Sequence, residues 1–180
     1  ASLDLYLAKS EERQPTWADE FRVYLGSGLR RGELLHLRWS DIDLATSVVH
    51  VRNRKGWSPK ARKDRVVAMT ADAQAALARI VARREWPGMQ GPYLDEDGRL
   101  LVCPTSLSHA WLEFTRLAGL PPRLHSTRHA HATAAVEDGA YLTDVQAQLG
   151  HSSIRTTMRY VRPNPAGPLR MVRAMNKHTS

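Results

Sequence analysis

Cysteine is almost absent from this sequence: Cys103 stands alone in 180 residues, which excludes an internal disulfide and a zinc cluster built on cysteine. A single thiol of this kind is expected to be a small core residue. Also missing is any run of about 18 apolar residues, the length that crosses a membrane as a helix. The opening Ala1-Ser2-Leu3-Asp4 lacks the basic, apolar and small-residue order of a secretory signal. The expectation is a soluble, cytoplasmic protein. No internal repeat and no low-complexity segment interrupts the chain. Eight histidines are present, and His129-x-His131 could in principle chelate. No His-Glu-x-x-His element or carboxylate cluster accompanies them, so neither a catalytic metal nor another cofactor is expected.

What the sequence does hold is enough apolar material, 42% of residues, for one good core in one compact domain. Lysine and arginine outnumber aspartate and glutamate by 26 to 18, and the pI is about 10.1. That balance suits a partner rich in negative charge, nucleic acid first among them. Basic tails, membrane-surface proteins and ribosomal proteins share it, so the position of the charges has to decide.

From residue 17 to 37, Phe21, Tyr24, Leu25, Leu34, Leu35 and Leu37 recur at helical spacing, interrupted by Gly26 and Gly28. This predicts two helices meeting at a tight glycine turn, with Thr16 and Asp19 as start signals for the first. The pattern then changes to short strands at Asp41-Ile42-Asp43, Val48-Val49-His50-Val51 and Arg65-Val66-Val67-Ala68-Met69, a small antiparallel three-stranded sheet. Loop 52–64 between the last two carries six basic residues, Arg52, Arg54, Lys55, Lys60, Arg62 and Lys63, and is expected to reach outward. Thr70 is expected to cap a helix with Ala73, Leu77, Ile80 and Val81 on one face, ending near Trp86-Pro87-Gly88. A helix after Pro104 has Leu107, Ala110, Trp111, Phe114 and Leu117 as its buried stripe. Pro121-Pro122 forces a break. Helical segments follow from His125 to about Asp138, from Leu142 to Leu149 and from Ser153 to about Arg159. The fold class is therefore α+β and predominantly helical.

The residues suited to chemistry fall in separate stretches. His125-Ser126-Thr127-Arg128-His129 places His125 and Arg128 three apart, on one helix face. Leu149-Gly150-His151 reads as a helix stop, with Gly150 free to take a left-handed backbone. A helix beginning near Ser152 then brings Tyr160, nine residues after His151, back over the same region. Upstream, Gly28-Leu29-Arg30 lies at the glycine turn, followed by Glu33-Leu34 and Leu37-Arg38-Trp39-Ser40-Asp41-Ile42. Taken singly, each of these residues would be an ordinary packed aromatic or solvated charge.

Together they resemble the tyrosine recombinase (phage integrase) family. The resemblance rests on Gly-Leu-Arg-x-x-Glu-Leu-x-x-Leu-x-Trp-x-Asp-Ile from Gly28, a lysine in a basic hairpin, His-x-x-Arg-His from His125, Leu-Gly-His from Leu149, and Tyr160. It runs from about Phe21 to Arg162, and five elements in the right order make it specific. It implies the tyrosine-recombinase catalytic fold over residues 1–162, with the small sheet described above. It also implies site-specific DNA recombination, the integration or excision of a mobile element, by strand cleavage and rejoining. Tyr160 is implied as the nucleophile that forms a 3′-phosphotyrosyl link, and the departing strand is left with a free 5′-hydroxyl.

Arg30 and Arg128 suit the two clamps on the phosphate, because planar guanidinium forks match the charge that builds on its nonbridging oxygens. His125 and His151 can hydrogen-bond the same oxygens and move protons near neutral pH. A tyrosine hydroxyl ionises near pH 10 when unperturbed, so attack needs basic or cationic surroundings. The lysine that protonates the departing 5′ oxygen is matched best by Lys60, which follows Pro59; Lys55 and Lys63 are the alternatives in the same loop. Glu33 is implied to orient Arg30, and His129 to support the site. His131, where the family more often has an aromatic, is expected in or near the core. Arg52, Arg54, Lys55, Arg62 and Lys63 are expected to contact DNA.

The implied partner is double-stranded DNA carrying attachment sites, bound by a homotetramer that forms on it, the isolated chain being a monomer. The implied location is the bacterial cytoplasm, with nucleoid association when bound to DNA. Residues 163–180 form a C-terminal tail expected to dock on a neighbouring subunit. Only about twenty residues precede the catalytic motifs, so the N-terminal core-binding domain usual in the family is expected to be absent here. Without it, DNA binding is expected to be weak and poorly selective, because phosphate contacts carry no sequence information. Two other readings remain: a type IB topoisomerase, which religates the same strand, and a DNA-binding relative without catalysis. The role stays open between phage integration, other mobile-element integration and chromosome-dimer resolution.

Overall fold

The computed structural model describes residues 15–84, 87–118 and 125–161, the side chains at positions 15, 16, 84, 114, 117, 118, 125 and 126 excepted. Helix α1 (Pro15–Ser27) ends in a left-handed turn at Gly28, φ 66°, and short α2 (Arg31–Leu35) follows. A 3-10 turn (Trp39–Asp41) leads into β1 (Ile42–Asp43), β2 (Val48–Val51) and β3 (Arg65–Ala68). The sheet is antiparallel in the order β1-β2-β3. Val49 lies opposite both Ile42 and Val67, and Val51 opposite Arg65. Four helices follow, α3 (Ala71–Arg84), α4 (Pro104–Ala118), α5 (His125–Glu137) and α6 (Leu142–Leu149). Short α7 (Ile154–Thr157) runs into a 3-10 turn that carries Tyr160.

Two apolar clusters hold these elements. In the larger, α1, α2, α3 and α4 bury Phe21, Tyr24, Leu34, Leu77, Ile80 and Trp111 against Val49, Val51 and Val67 of the sheet. The period-2 alternation of β2 and β3 supplies that buried sheet face. Phe21 meets Trp111 edge to face, with ring centroids 5.0 Å apart. The smaller cluster joins Ala132 of α5, Val145 and Leu149 of α6, and Tyr160.

Several expectations change here. Asp19 does not start a helix: it lies inside α1, buried, and receives Arg79 and Arg83 from α3. The helix begins at Pro15, so Asp19 lies past its first turn, and burial, which pushes its pKa up, is outweighed by these two guanidiniums, leaving it lowered. Cys103 is exposed rather than part of the core. It precedes Pro104 at the start of α4, where its carbonyl accepts the Ser106 amide and its Sγ lies 2.8 Å from Thr105 Oγ1. Thr70 Oγ1 accepts the Ala73 amide at 3.3 Å, as a cap should. Trp86, the Pro121-Pro122 break, the tail 163–180 and the Phe114 and Leu117 side chains lie outside the described residues.

The two clusters differ in size, and so should their stability. Leu77→Ala, at a position with no exposure, is expected to cost about 2–5 kcal/mol in urea unfolding. In native-state hydrogen exchange, the amides of α6 and of residues 154–160 should open at lower free energy than those of α3. Equal protection of both regions would contradict the division into a large and a small cluster.

Candidate active site

Arg30 sits in extended backbone just before α2, φ −79° and ψ 151°. Glu33, 2% exposed, turns back toward it: Oε2 accepts the Arg30 amide at 2.8 Å and Oε1 accepts Arg30 Nη1 at 2.8 Å. A second guanidinium reaches the same carboxylate, Arg65 of β3, with Nη1 on Oε1 at 3.0 Å and Nη2 on Oε2 at 2.8 Å. Burial pushes the Glu33 carboxyl up, but the hydrogen bonds and charge of Arg65, then those of Arg30, bring it below its ordinary value. The carboxylate expected to orient Arg30 thus lies against it, and Arg65 is an unexpected third member.

Arg128 of α5 is 2% exposed. Its Nη1 donates to the Gly28 carbonyl at 2.7 Å and its Nη2 to the Leu149 carbonyl, so it joins the α1–α2 turn to the end of α6. Its Nε has no hydrogen-bond partner among the described residues. Burial lowers its pKa to about 10, Arg30 and Arg65 add to the effect, and Glu33 and Tyr160 oppose it. On the next turn of α5, His131 places Nδ1 3.0 Å from the Leu25 carbonyl. Its pKa is lowered, chiefly by burial, which accords with the near-core position expected for it.

Helix α6 ends as its sequence predicts. Gly150 takes φ 63° and ψ 49°, its amide bonds the Ala147 carbonyl, and the His151 amide bonds that of Gln146. The turn aims His151 back toward α7, where its Nδ1 lies 3.0 Å from Thr157 Oγ1. Tyr160, 7% exposed, stacks near this ring with centroids 6.2 Å apart, and lies 4.9 Å from the ring of His129. His125 begins α5, one turn before Arg128, and its side chain lies outside the described residues.

Loop 52–64 does not reach outward as expected. Trp57 stacks on His36 at 4.6 Å and 11°, Pro59 is buried, and Arg54 pairs with the buried Asp41. A tryptophan and a proline bring apolar area that is better buried than hydrated, and Asp41 gives the loop a charged anchor. Arg62 donates its amide to the Pro59 carbonyl at 2.8 Å, which leaves Lys60 exposed at the corner of a turn. Of the residues expected on DNA, Lys55, Arg62 and Lys63 are exposed; Arg52 is exposed too, 3.8 Å from Asp41.

A cleft of about 420 Å³ is lined by Arg30, Arg31, Lys60, Ser108 and Arg128, together with Tyr24, Leu29 and Gly32. Four cations therefore converge from three separate segments, the arrangement suited to an anion with several oxygens. A neighbouring cleft of similar size is lined by His151, Lys63, Arg65 and Thr143, among others. Lys55 belongs to neither lining; it borders a smaller pocket with His36 and Trp57. Arg31, which donates to the Pro104 carbonyl at 3.2 Å, and Arg65 escaped the sequence reading. For Arg65 the signal was there, since in the Arg65–Ala68 strand it shares a face with Val67, and an arginine on a buried face needs a carboxylate. Among the described residues, no group of three His, Cys, Asp or Glu side chains could hold a metal ion. No helix among them is long and apolar enough to cross a membrane.

Known proteins share both the sequence pattern and this fold. The tyrosine recombinase XerC of Chlamydia pneumoniae is 31% identical over 144 residues, 77% of this chain and 44% of that protein. The crystal structure of XerA recombinase superposes with a TM-score of 0.72 at 25% identity, covering 94% of this chain and 61% of the other. The Tn1549 transposon integrase, in complex with circular intermediate DNA, has a TM-score of 0.75 at 20% identity and covers 97% of this chain and 64% of the other. The chain spans about half or less of the length of the curated relatives it matches. The pattern of the phage integrase family matches residues 8–166. With its mostly helical fold, its three-stranded antiparallel sheet and this match over most of its length, the chain belongs to the phage integrase family of tyrosine recombinases.

Proposed function

We propose that this chain is the DNA-cutting part of a site-specific recombinase, which breaks and rejoins strands through Tyr160 without a metal or ATP. The observation that carries this reading is the convergence of Arg30, Arg128 and Lys60 on one cleft, with Tyr160 packed against the rings of His129, which follows Arg128 in α5, and His151.

In the first step the Tyr160 oxygen attacks phosphorus. A Tyr160 O–P bond forms, the P–O5′ bond breaks, and the phosphate stays on the 3′ end of the cut strand. The tyrosine proton passes to a neighbouring base, and Lys60 gives a proton to the departing 5′ oxygen. Arg30 and Arg128 hold the nonbridging oxygens as charge builds on them, and the unmatched Nε–H of Arg128 is a donor such an oxygen would satisfy. His151, with Nδ1 held by Thr157, would use Nε2 on the phosphate, and His125 would act beside Arg128. His129 packs the Tyr160 ring. In the second step the 5′-hydroxyl of a partner duplex attacks the phosphotyrosine and displaces the Tyr160 oxygen. One ester is exchanged for another at each step, so no external energy source is required.

Double-stranded DNA is the substrate in this reading. The exposed Arg52, Lys55, Arg62 and Lys63 would add phosphate contacts, while Arg54 would hold the loop to Asp41. Exchange between two duplexes needs several active sites, hence a homotetramer on DNA, with residues 163–180 docking on a neighbouring subunit. Integration or excision of a mobile element in the bacterial cytoplasm, on nucleoid DNA, is the role proposed.

The test is a nicked suicide substrate carrying the protein's own attachment site, whose short cleaved strand diffuses away. The full-length protein should form a covalent protein–DNA band that Tyr160→Phe loses; a band that persists in Tyr160→Phe would sink the assignment. Relaxation of supercoiled plasmid with no recombinant product would favour a topoisomerase. Lys60→Ala should slow cleavage by about 100-fold or more and recover on DNA whose scissile 5′ oxygen is replaced by sulfur, a leaving group that needs no proton. A Lys60→Ala defect that sulfur does not relieve would move the acid role to Lys55 or Lys63.

A further inference from the structure

Arg65 lies outside the cleft that holds Arg30, Lys60 and Arg128, yet it is tied to both halves of the site. Opposite Val51 in the ladder, it leaves the sheet on the face that buries Val49, Val51 and Val67. Only 9% of its side chain is exposed. Both terminal nitrogens lie on the two oxygens of Glu33, at 3.0 and 2.8 Å, a two-pronged pair of the strong kind. Its third nitrogen, Nε, donates to the Gln148 carbonyl at 3.0 Å, two residues before Gly150. A Cβ placed on Gly150 would come within 2.9 Å of Arg65 Cδ, so the turn before His151 closes directly on this side chain.

Charge balance gives this arrangement its consequence. Glu33 carries one negative charge and faces two guanidiniums, Arg30 and Arg65. With Arg65 matched to both carboxylate oxygens, Arg30 spends one side-chain nitrogen on Glu33 and keeps its net charge for an incoming anion. Without Arg65, the buried carboxylate would have Arg30 as its remaining guanidinium partner, and that pair would be close to neutral. Building on the functional reading above, we infer that Arg65 is a positioning residue. It neutralises Glu33 so that the charge of Arg30 remains available to the scissile phosphate, and it fixes the turn that carries His151 relative to Arg30.

The experiment compares Arg65→Met with the double variant Glu33→Gln/Arg65→Met in the full-length protein, reading the rate of covalent complex formation on a suicide substrate. Two versions of the substrate are used: an ordinary scissile phosphate, and a methylphosphonate in which a methyl group replaces one nonbridging oxygen and removes the negative charge. Arg65→Met should cleave the phosphate substrate roughly 10–100-fold more slowly than the unmodified protein. Its deficit should shrink on the methylphosphonate, and the double variant should cleave phosphate faster than Arg65→Met. A scaffold role alone would slow both substrates equally; that result, or an unchanged rate, would overturn the role given to Arg65. If Arg65→Met does not fold, as judged by circular dichroism, Arg65→Gln, which removes the charge but keeps a hydrogen-bonding side chain, carries the same two-substrate comparison. Absence of a Tyr160-dependent complex in the unmodified protein would instead overturn the functional reading itself.

Discussion

The buried charge of Arg128 organises this molecule. Its guanidinium is 2% exposed and is held by two main-chain carbonyls, Gly28 and Leu149, neither of which cancels a positive charge. Burial and the nearby Arg30 lower its pKa to about 10, so at neutral pH it remains a cation although buried. An unmatched buried donor costs about 1–3 kcal/mol, and more when it is charged. Such a site gains when an anion enters. The same two bonds also set geometry, because one joins the segment that carries Arg30 and the other joins the end of α6 just before His151.

Around that contact the structure is two apolar clusters joined by polar bonds. The larger cluster fixes α1, α2 and the sheet, and so places Arg30, Glu33 and Arg65. The smaller fixes Tyr160 against α5 and α6. Across the seam run Arg128 to Gly28, His131 to Leu25, Arg65 to Gln148, and Gln148 to the Ser27 carbonyl at 3.0 Å. The cationic cleft brings Arg128 of α5 beside Arg30, Arg31 and Lys60, which lie on segments distant from it in sequence. Polar seams are also easier to adjust than packed cores, because few apolar contacts have to be broken to shift them. Under the proposed function, a tyrosine that must attack, stay bonded to DNA and later be displaced would be well served by sitting in the smaller piece.

Much of this was legible in the sequence. Strand Val48–Val51 and helix Leu142–Leu149 fall on the predicted residues, because their alternation and turn signals are local. Gly150 takes the left-handed backbone that its place after Leu149 implies. Arg30 and Arg128 line one cleft from distant segments, with Glu33 against Arg30, while Tyr160 packs against His129 and His151. What escaped depended on partners distant in sequence. Asp19 looks like a helix start until Arg79 and Arg83 are seen sixty and more residues away. Arg65 shares a strand face with Val67, which marks it as inward-facing, but its partner Glu33 lies 32 residues away and only the fold brings the two together. The outward reach of loop 52–64 followed from its charge alone, whereas Trp57 on His36 and Arg54 on Asp41 determine where it lies. Cys103 was placed by composition, which says nothing about the start of a helix.

The proposed function depends on one bond, between the Tyr160 oxygen and a DNA phosphorus. The most direct measurement is mass spectrometry of the peptide released from the trapped protein–DNA complex after digestion of both. The predicted result is a nucleotide joined through its 3′ phosphate to Tyr160, with a free 5′-hydroxyl on the other end of the cut strand. A nucleotide on Tyr141, on a serine or on any other residue, or a link through the 5′ phosphate, would contradict it.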